Sequence, residues 1–217
     1  YEADSTWHDD RDTPDSLRTH PDCDARMAKL SELPQMGASE GELYLQTQNQ
    51  FDYLQKAALF EIIESLFHYK VYGRALFRTL QLLEDYPDNA WLHARAAQCL
   101  YQLAEHQKAH NLEDVLILPD SRLPENYNRF LTFFNNLRLS EISSLAYHYA
   151  NNHKDRFADD EAFLYARVQC SLLGSDKNET AGLIKQYLQK FPKGVYTDEL
   201  RNNGKPAQAD KTKKGNK

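Results

Sequence analysis

The chain has 217 residues, a net charge of −6 and a pI near 5.8, which leaves no electrostatic footprint for nucleic-acid binding. Hydrophobic residues make up 41% and charged residues 27%, with a mean hydropathy of −0.74, so a core is possible under a well-wetted surface. No apolar run approaches the roughly 18–20 residues that cross a bilayer, so no transmembrane segment is expected. Gly and Pro number only eight each. Few breakers among many Leu, Ala, Gln and Glu residues favour helices over strands.

In chain order, residues 1–19 are acidic, contain Pro14 and show no apolar period, which predicts an irregular segment. The chain opens at Tyr1 without an initiator methionine, a basic leader or an apolar h-region. It therefore reads as a piece of a longer protein whose signal or anchor, if any, lies upstream. Residues 20–34 predict a short helix: Pro21 suits its first position, Asp22 and Asp24 its positive first turn, and Pro34 its stop. Met27, Leu30 and Leu33 share one face of it.

From residue 38 to 197 the pattern is helix after helix. Leu59, Ile62, Ile63, Leu66 and Phe67 give the i, i+3, i+4 stripe of one amphipathic helix. After a break at Gly73, a second helix carries Ala75, Leu76, Leu80, Leu82 and Leu83 and ends at Tyr86-Pro87. A third is predicted from Ala90 to Leu103 and a fourth from His106 to about Val115. Asn126–Asn136 and Ser140–Asn151 form a further pair, and Asp160–Leu173 with Asn178–Phe191 the last. Residues 201–217 are polar and Lys-rich and predict a disordered tail.

Pairs of helices raise the question of internal repeats. With Pro87 at the late proline of a tetratricopeptide (TPR) unit, the unit begins at Lys56 and Ala75 takes the small position opening its second helix. Ala97 and Ala109 then take the small positions of the next unit. Ala75 and Ala109 stand 34 residues apart, the TPR period. Residues 83–110, LEDYPDNAWLHARAAQCLYQLAEHQKAH, look like TPR sequence throughout. Elsewhere the pattern degrades: Ile63, Val168 and Thr180 occupy small positions, and the Asn126–Asn151 pair matches in length only. The expected fold is all-α, a TPR-like helical-hairpin solenoid.

Stacked pairs hide one apolar face each and leave a concave surface lined by the first helix of every unit. In this register that groove displays Phe60, Glu64, Phe67 and His68, then Ala94, Gln98, Tyr101 and Gln102. Rings beside amides and carboxylates suit an extended peptide or a partner loop. The competing reading makes Phe60 and Phe67 core residues that close gaps between helices.

Chemistry is sparse. His106 and His110 stand at i, i+4, but Gln107 replaces a general base and no third ligand is evident, so they read as exposed polar residues at a repeat turn. The acid pairs Asp9-Asp10 and Asp159-Asp160 read as solvated loops or caps. No phosphate loop, nucleophile elbow or nucleotide fingerprint occurs. Cys23, Cys99 and Cys170 are far apart, form no Cys-x-x-Cys pair and read as buried or incidental thiols. No self-sufficient active site is visible.

The segment Leu17-Arg18-Thr19-His20-Pro21-Asp22-Cys23-Asp24-Ala25-Arg26-Met27-Ala28-Lys29-Leu30 resembles the Thr-His-Pro…Arg…Leu stretch near the end of the catalytic domain in HtpX and CAAX-prenyl-endopeptidase zinc metallopeptidases. Some bacterial members, periplasmic ones among them, continue from it into TPRs, and the order here is the same. The resemblance implies that residues 1–37 are the end of a metallopeptidase domain, residues 38–200 a TPR-like domain and residues 201–217 a tail. It further implies that His20 matches an extra, regulatory zinc ligand and that Arg26 matches an arginine supporting the catalytic domain. Pro21 holds the backbone beside His20 rigid, which suits a plug better than a general base. The His-Glu-x-x-His helix and the glutamate ligand are absent from this sequence. Zinc is therefore expected in the intact enzyme and not tightly in this chain alone, and an exported setting follows from the resemblance only. The reading is a regulatory, protein-docking region of a TPR-bearing zinc metallopeptidase that binds a protein or peptide. The alternative is a non-catalytic TPR adaptor in which His20 is an ordinary residue at a helix start.

Overall fold

The computed structural model describes residues 28–29, 31–32, 47–174 and 176–203. Among these the chain is helical and contains no strand, as composition and periodicity lead one to expect. The helices are α1 (Gln48–His68), α2 (Tyr72–Asp85), α3 (Ala90–Lys108), α4 (Glu125–Asn136), α5 (Leu139–Asn152), α6 (Glu161–Ser171), α7 (Lys177–Lys190) and α8 (Thr197–Asn203). A single 3-10 turn, Leu112–Asp114, follows α3. Residues 28, 29, 31 and 32 are helical, within the predicted 20–34 helix. The rest of the predicted 20–34 segment, with His20 and Arg26, lies outside the described residues, as do 1–19 and 204–217. Of the predicted tail, residues 201–203 form the last turn of α8.

Side-chain caps set several helix starts. The Asn89 side chain accepts from Leu92 N at 3.1 Å before α3, Asp160 from Phe163 N at 2.8 Å before α6, and Asp176 from Asn178 N at 2.8 Å before α7. Each satisfies a backbone donor that the first turn leaves free.

The core is organised around α3. This helix packs on α2, α5 and α6. It buries Leu92, Ala94, Ala96, Ala97, Leu100, Leu103 and Ala104, which leaves little of its circumference to solvent. Alanines on both sides of the α3–α6 seam, Ala97 and Ala166, let the two backbones approach closely, and the Cys170 thiol donates to Ala97 O at 3.5 Å. Each leucine at this junction contributes about 1.5–3 kcal/mol of burial.

One predicted helix pair is replaced here. Instead of stopping at Leu103 and restarting at His106, α3 runs without a break to Lys108. It closes in a Schellman motif, in which His110 N donates to Gln107 O at 3.2 Å and Asn111 N to His106 O at 3.0 Å. His110 takes the left-handed position, φ 59°. Leu103 and Ala104 are both fully buried, so a break between Leu103 and His106 would unseat two core side chains. Ala109, expected at a packed small position, is the exposed C-cap of α3.

The pair α4 and α5 has the predicted lengths but not the predicted pairing. Leu137 and Arg138 between them are both extended, with ψ 136° and 160°, and redirect the chain. Helix α4 turns to α2, where Phe77 meets Tyr127 and Phe130 with ring centroids 4.8 and 5.3 Å apart, while α5 packs on α3 and α6. Gly73, inside the first turn of α2, makes room for the chain returning from α3. Its N–H donates to Val115 O at 3.0 Å, and a Cβ on it would overlap Leu116.

The last hairpin forms as expected. Val168 and Thr180 are buried between α6 and α7 despite their size, and the Thr180 hydroxyl donates to Ser171 O at 3.2 Å. Helix α8 closes this end: Tyr165 stacks on Tyr196 at 3.8 Å and donates to Glu199 Oε1 at 2.6 Å.

Candidate functional site

Helix α1 carries two apolar rows on opposite sides. Phe60, Ile63, Leu66 and Phe67 turn inward; Ile63 is fully buried with Leu82 and Leu92. Phe51, Leu54, Ala58 and Ile62, three and four residues apart, form a second row that faces outward, with Leu59 along its edge. Phe51 is 55% exposed, Leu54 48%, Leu59 43% and Ile62 48%. The single stripe read from the sequence, Leu59 to Phe67, is thus divided: Ile63, Leu66 and Phe67 belong to the core, and Leu59 and Ile62 to the surface. Gln55, Glu61 and Ser65 are the polar residues on the outer side. The helix itself is well made. Thr47 and Gln50 form a reciprocal capping box, and Lys70 at φ 61° closes a Schellman motif in which Lys70 N reaches Phe67 O and Val71 N reaches Leu66 O.

The residues expected to line a groove separate into three groups. Glu64, Phe67 and Gln98 are brought together by Arg95 of α3. Its Nη2 pairs with Glu64 Oε2 at 2.5 Å, its Nη1 donates to Gln98 Oε1 at 2.9 Å, and its guanidinium lies 4.1 Å from the Phe67 ring centre and 5.3 Å from Trp91. Phe60 joins the core, tilted against Trp91 and Tyr86 at 5.5 and 5.8 Å, and Ala94 is buried against Phe157 and Phe163. Both therefore leave the expected groove, because α3 is covered by α6 on the side where Ala94 lies. Tyr101 and Gln102 are half-buried about one turn beyond Gln98, and His68 is exposed with its ring edge-on to Tyr69. Burial, with Glu105 adding to it, pushes the Tyr101 hydroxyl up to about 12, so it stays a neutral donor.

Arg95 and the outer row of α1 were absent from the sequence-based set. A signal for Arg95 existed, since Trp91 stands four residues before it and a stacked i, i+4 pair follows directly. Phe51 and Leu54 precede the repeat register that begins at Lys56 and so lie outside the TPR frame.

The chemical candidates resolve simply. His106 is on α3, its Nδ1 3.1 Å from Asn111 Oδ1, whereas His110 lies past the helix in the left-handed turn, so the two share no face. Cys99 and Cys170 are free, buried thiols; burial raises both, Cys170 to about 12, which removes them from thiolate chemistry. Among the described residues no three His, Cys, Asp or Glu side chains converge as a zinc ion requires. No helix among them is long and apolar enough to cross a membrane. Comparison with family models, curated proteins and solved structures returned no match for the chain.

Proposed function

We propose that this chain is a protein-docking helical region, the C-terminal part of an HtpX-like zinc metallopeptidase carrying TPR-like hairpins. The observation that supports docking is the outer row of α1. A helix apolar on both sides is normally covered on both sides, and a contiguous exposed apolar row on a folded protein marks an interaction surface. Phe51, Leu54, Leu59 and Ile62 form such a row, and Glu61 at its edge gives a polar rim that favours a partner with a basic residue there.

The order of packing supports the hairpin reading. Helix α1 pairs with α2 and α6 with α7, while α3 contacts α2 before it and α6 after it, as a first helix does between neighbouring units. In this reading α5 is the return helix of α3, and residues 109–138 with α4 are an insertion between them. The peptidase half of the proposal rests on the Thr19-His20-Pro21…Arg26 segment, with His20 as a regulatory group toward a zinc held upstream.

The coding sequence before Tyr1 separates peptidase from adaptor. A His-Glu-x-x-His helix there supports the peptidase, and its absence leaves the adaptor. In the intact enzyme His20→Ala is expected to raise or deregulate proteolysis; unchanged proteolysis removes the gating role. Zinc titration of this chain by calorimetry is expected to show weak binding or none.

A further inference from the structure

The α3–α5 seam holds a pair of histidines in a polar network that neither core packing nor docking uses. His93, in the first turn of α3, is only 6% exposed. Its Nε2 lies 3.0 Å from Pro87 O and its Nδ1 2.8 Å from Tyr149 Oη. A carbonyl oxygen only accepts, so Nε2 carries the proton. Nδ1 is then the lone pair that accepts from the Tyr149 hydroxyl. The neutral Nε2–H tautomer satisfies both partners.

His153, just past the C-terminus of α5, packs tilted against the His93 ring with centroids 4.3 Å apart and donates from Nδ1 to Tyr149 O at 2.9 Å. Phe157 closes the far side, 4.8 Å from the His93 ring. The neighbouring charges are Arg156, whose guanidinium lies over Phe157 at 5.4 Å, and Asp88 of the α2–α3 turn. These two are paired with each other. From α6 the packing here is apolar, through Ala162 and Phe163.

We infer that His93, hydrogen-bonded between Pro87 and Tyr149 and packed against His153, is an acid-sensitive latch that holds the end of α5 and the 153–160 turn on α3 while its ring is neutral and releases them when it is charged. A protonated His93 Nδ1 no longer accepts from the Tyr149 hydroxyl, which leaves two donors facing each other. Asp88, in the turn just before His93, is engaged by Arg156. Burial holds the His93 imidazole below its usual range; the Pro87 carbonyl pulls in the other direction and His153 pushes it lower. A group whose folded proton affinity is lowered contributes stability that is present above its unfolded pKa, about 6.5, and lost as pH falls through the lower folded value.

The test is hydrogen exchange of the full chain between pH 7.5 and 5.0, with each peptide corrected for the intrinsic pH dependence of exchange. Peptides covering 147–160 are expected to lose protection several-fold at the acid end relative to α7, because the more open state binds the His93 proton more tightly. His93→Gln, checked for native helix content by circular dichroism, is expected to flatten that dependence. His153→Gln, which keeps an amide donor for Tyr149 O at a half-exposed position, is expected to leave it in place. Equal protection of 147–160 at both pH values overturns the latch, and so does an acid loss that persists in His93→Gln.

Discussion

Helices α1 and α3 are built from similar material and meet opposite fates. Both are long, and neither has a clearly polar side. In α3 this is resolved by neighbours, since α2, α5 and α6 surround it and its buried residues run from Leu92 to Ala104 with few interruptions. In α1 it is not: α2 and the Arg95 junction cover one side, Ile63 alone is fully buried, and the other side shows Phe51, Leu54 and Ile62 to solvent. Weak amphipathicity therefore has two meanings in one chain. For α3 it marks the centre of a core, and for α1 an apolar row left exposed among the described residues.

Substitutions at matched sites sharpen this contrast, and the largest effect is expected in α3. Leu103→Ala removes a fully buried side chain at the junction of α2, α5 and α6 and should destabilise by about 2–5 kcal/mol in urea unfolding. Adjacent residues of α1 divide the two rows: Ile63→Ala should cost about 2–4 kcal/mol, and Ile62→Ala no more than about 0.5 kcal/mol. Equal losses at 62 and 63 would break the two-row description. Arg95→Ala deletes the stack on Phe67 and Trp91 and frees Glu64, for an expected loss of about 1–2 kcal/mol. Because that junction ties α1 to α3, hydrogen exchange should rise in α1 more than in α6. One change past the end of α3 is expected to have the opposite sign. His110→Gly relieves a side chain in the left-handed turn and should stabilise by about 0.5–1 kcal/mol, read as a higher midpoint.

Much of the architecture was legible because its punctuation is local. Pro87, Asp160 and Asp176 mark boundaries through ring geometry or side-chain caps, and the elements beside them fall within a few residues of expectation. What was not legible depends on distant contacts. The end of α3 has no glycine at its left-handed position, so nothing in the sequence announced that the helix passes Leu103 and stops beside His110. The turning of α4 toward α2 is decided by Phe77 meeting Tyr127 and Phe130, roughly fifty residues on in sequence. Of the site, the aromatic and amide residue types were readable from the repeat register, yet their grouping was not. Arg95 selects Glu64, Phe67 and Gln98, and α6 removes Ala94 by covering it.

The central claim is that the outer row of α1 is a seat for protein. Its most direct measurement is photocrosslinking in the intact protein in its native cell, with the reactive residue placed in turn at Phe51, Leu54 and Ile62, and at the exposed controls Glu113 and Lys185. The prediction is specific polypeptide adducts at the three α1 positions, lost when Ile62→Glu is combined with a probe at Leu54, and none at the controls. Absence of adducts along the row, or equal adducts at row and controls, would contradict it.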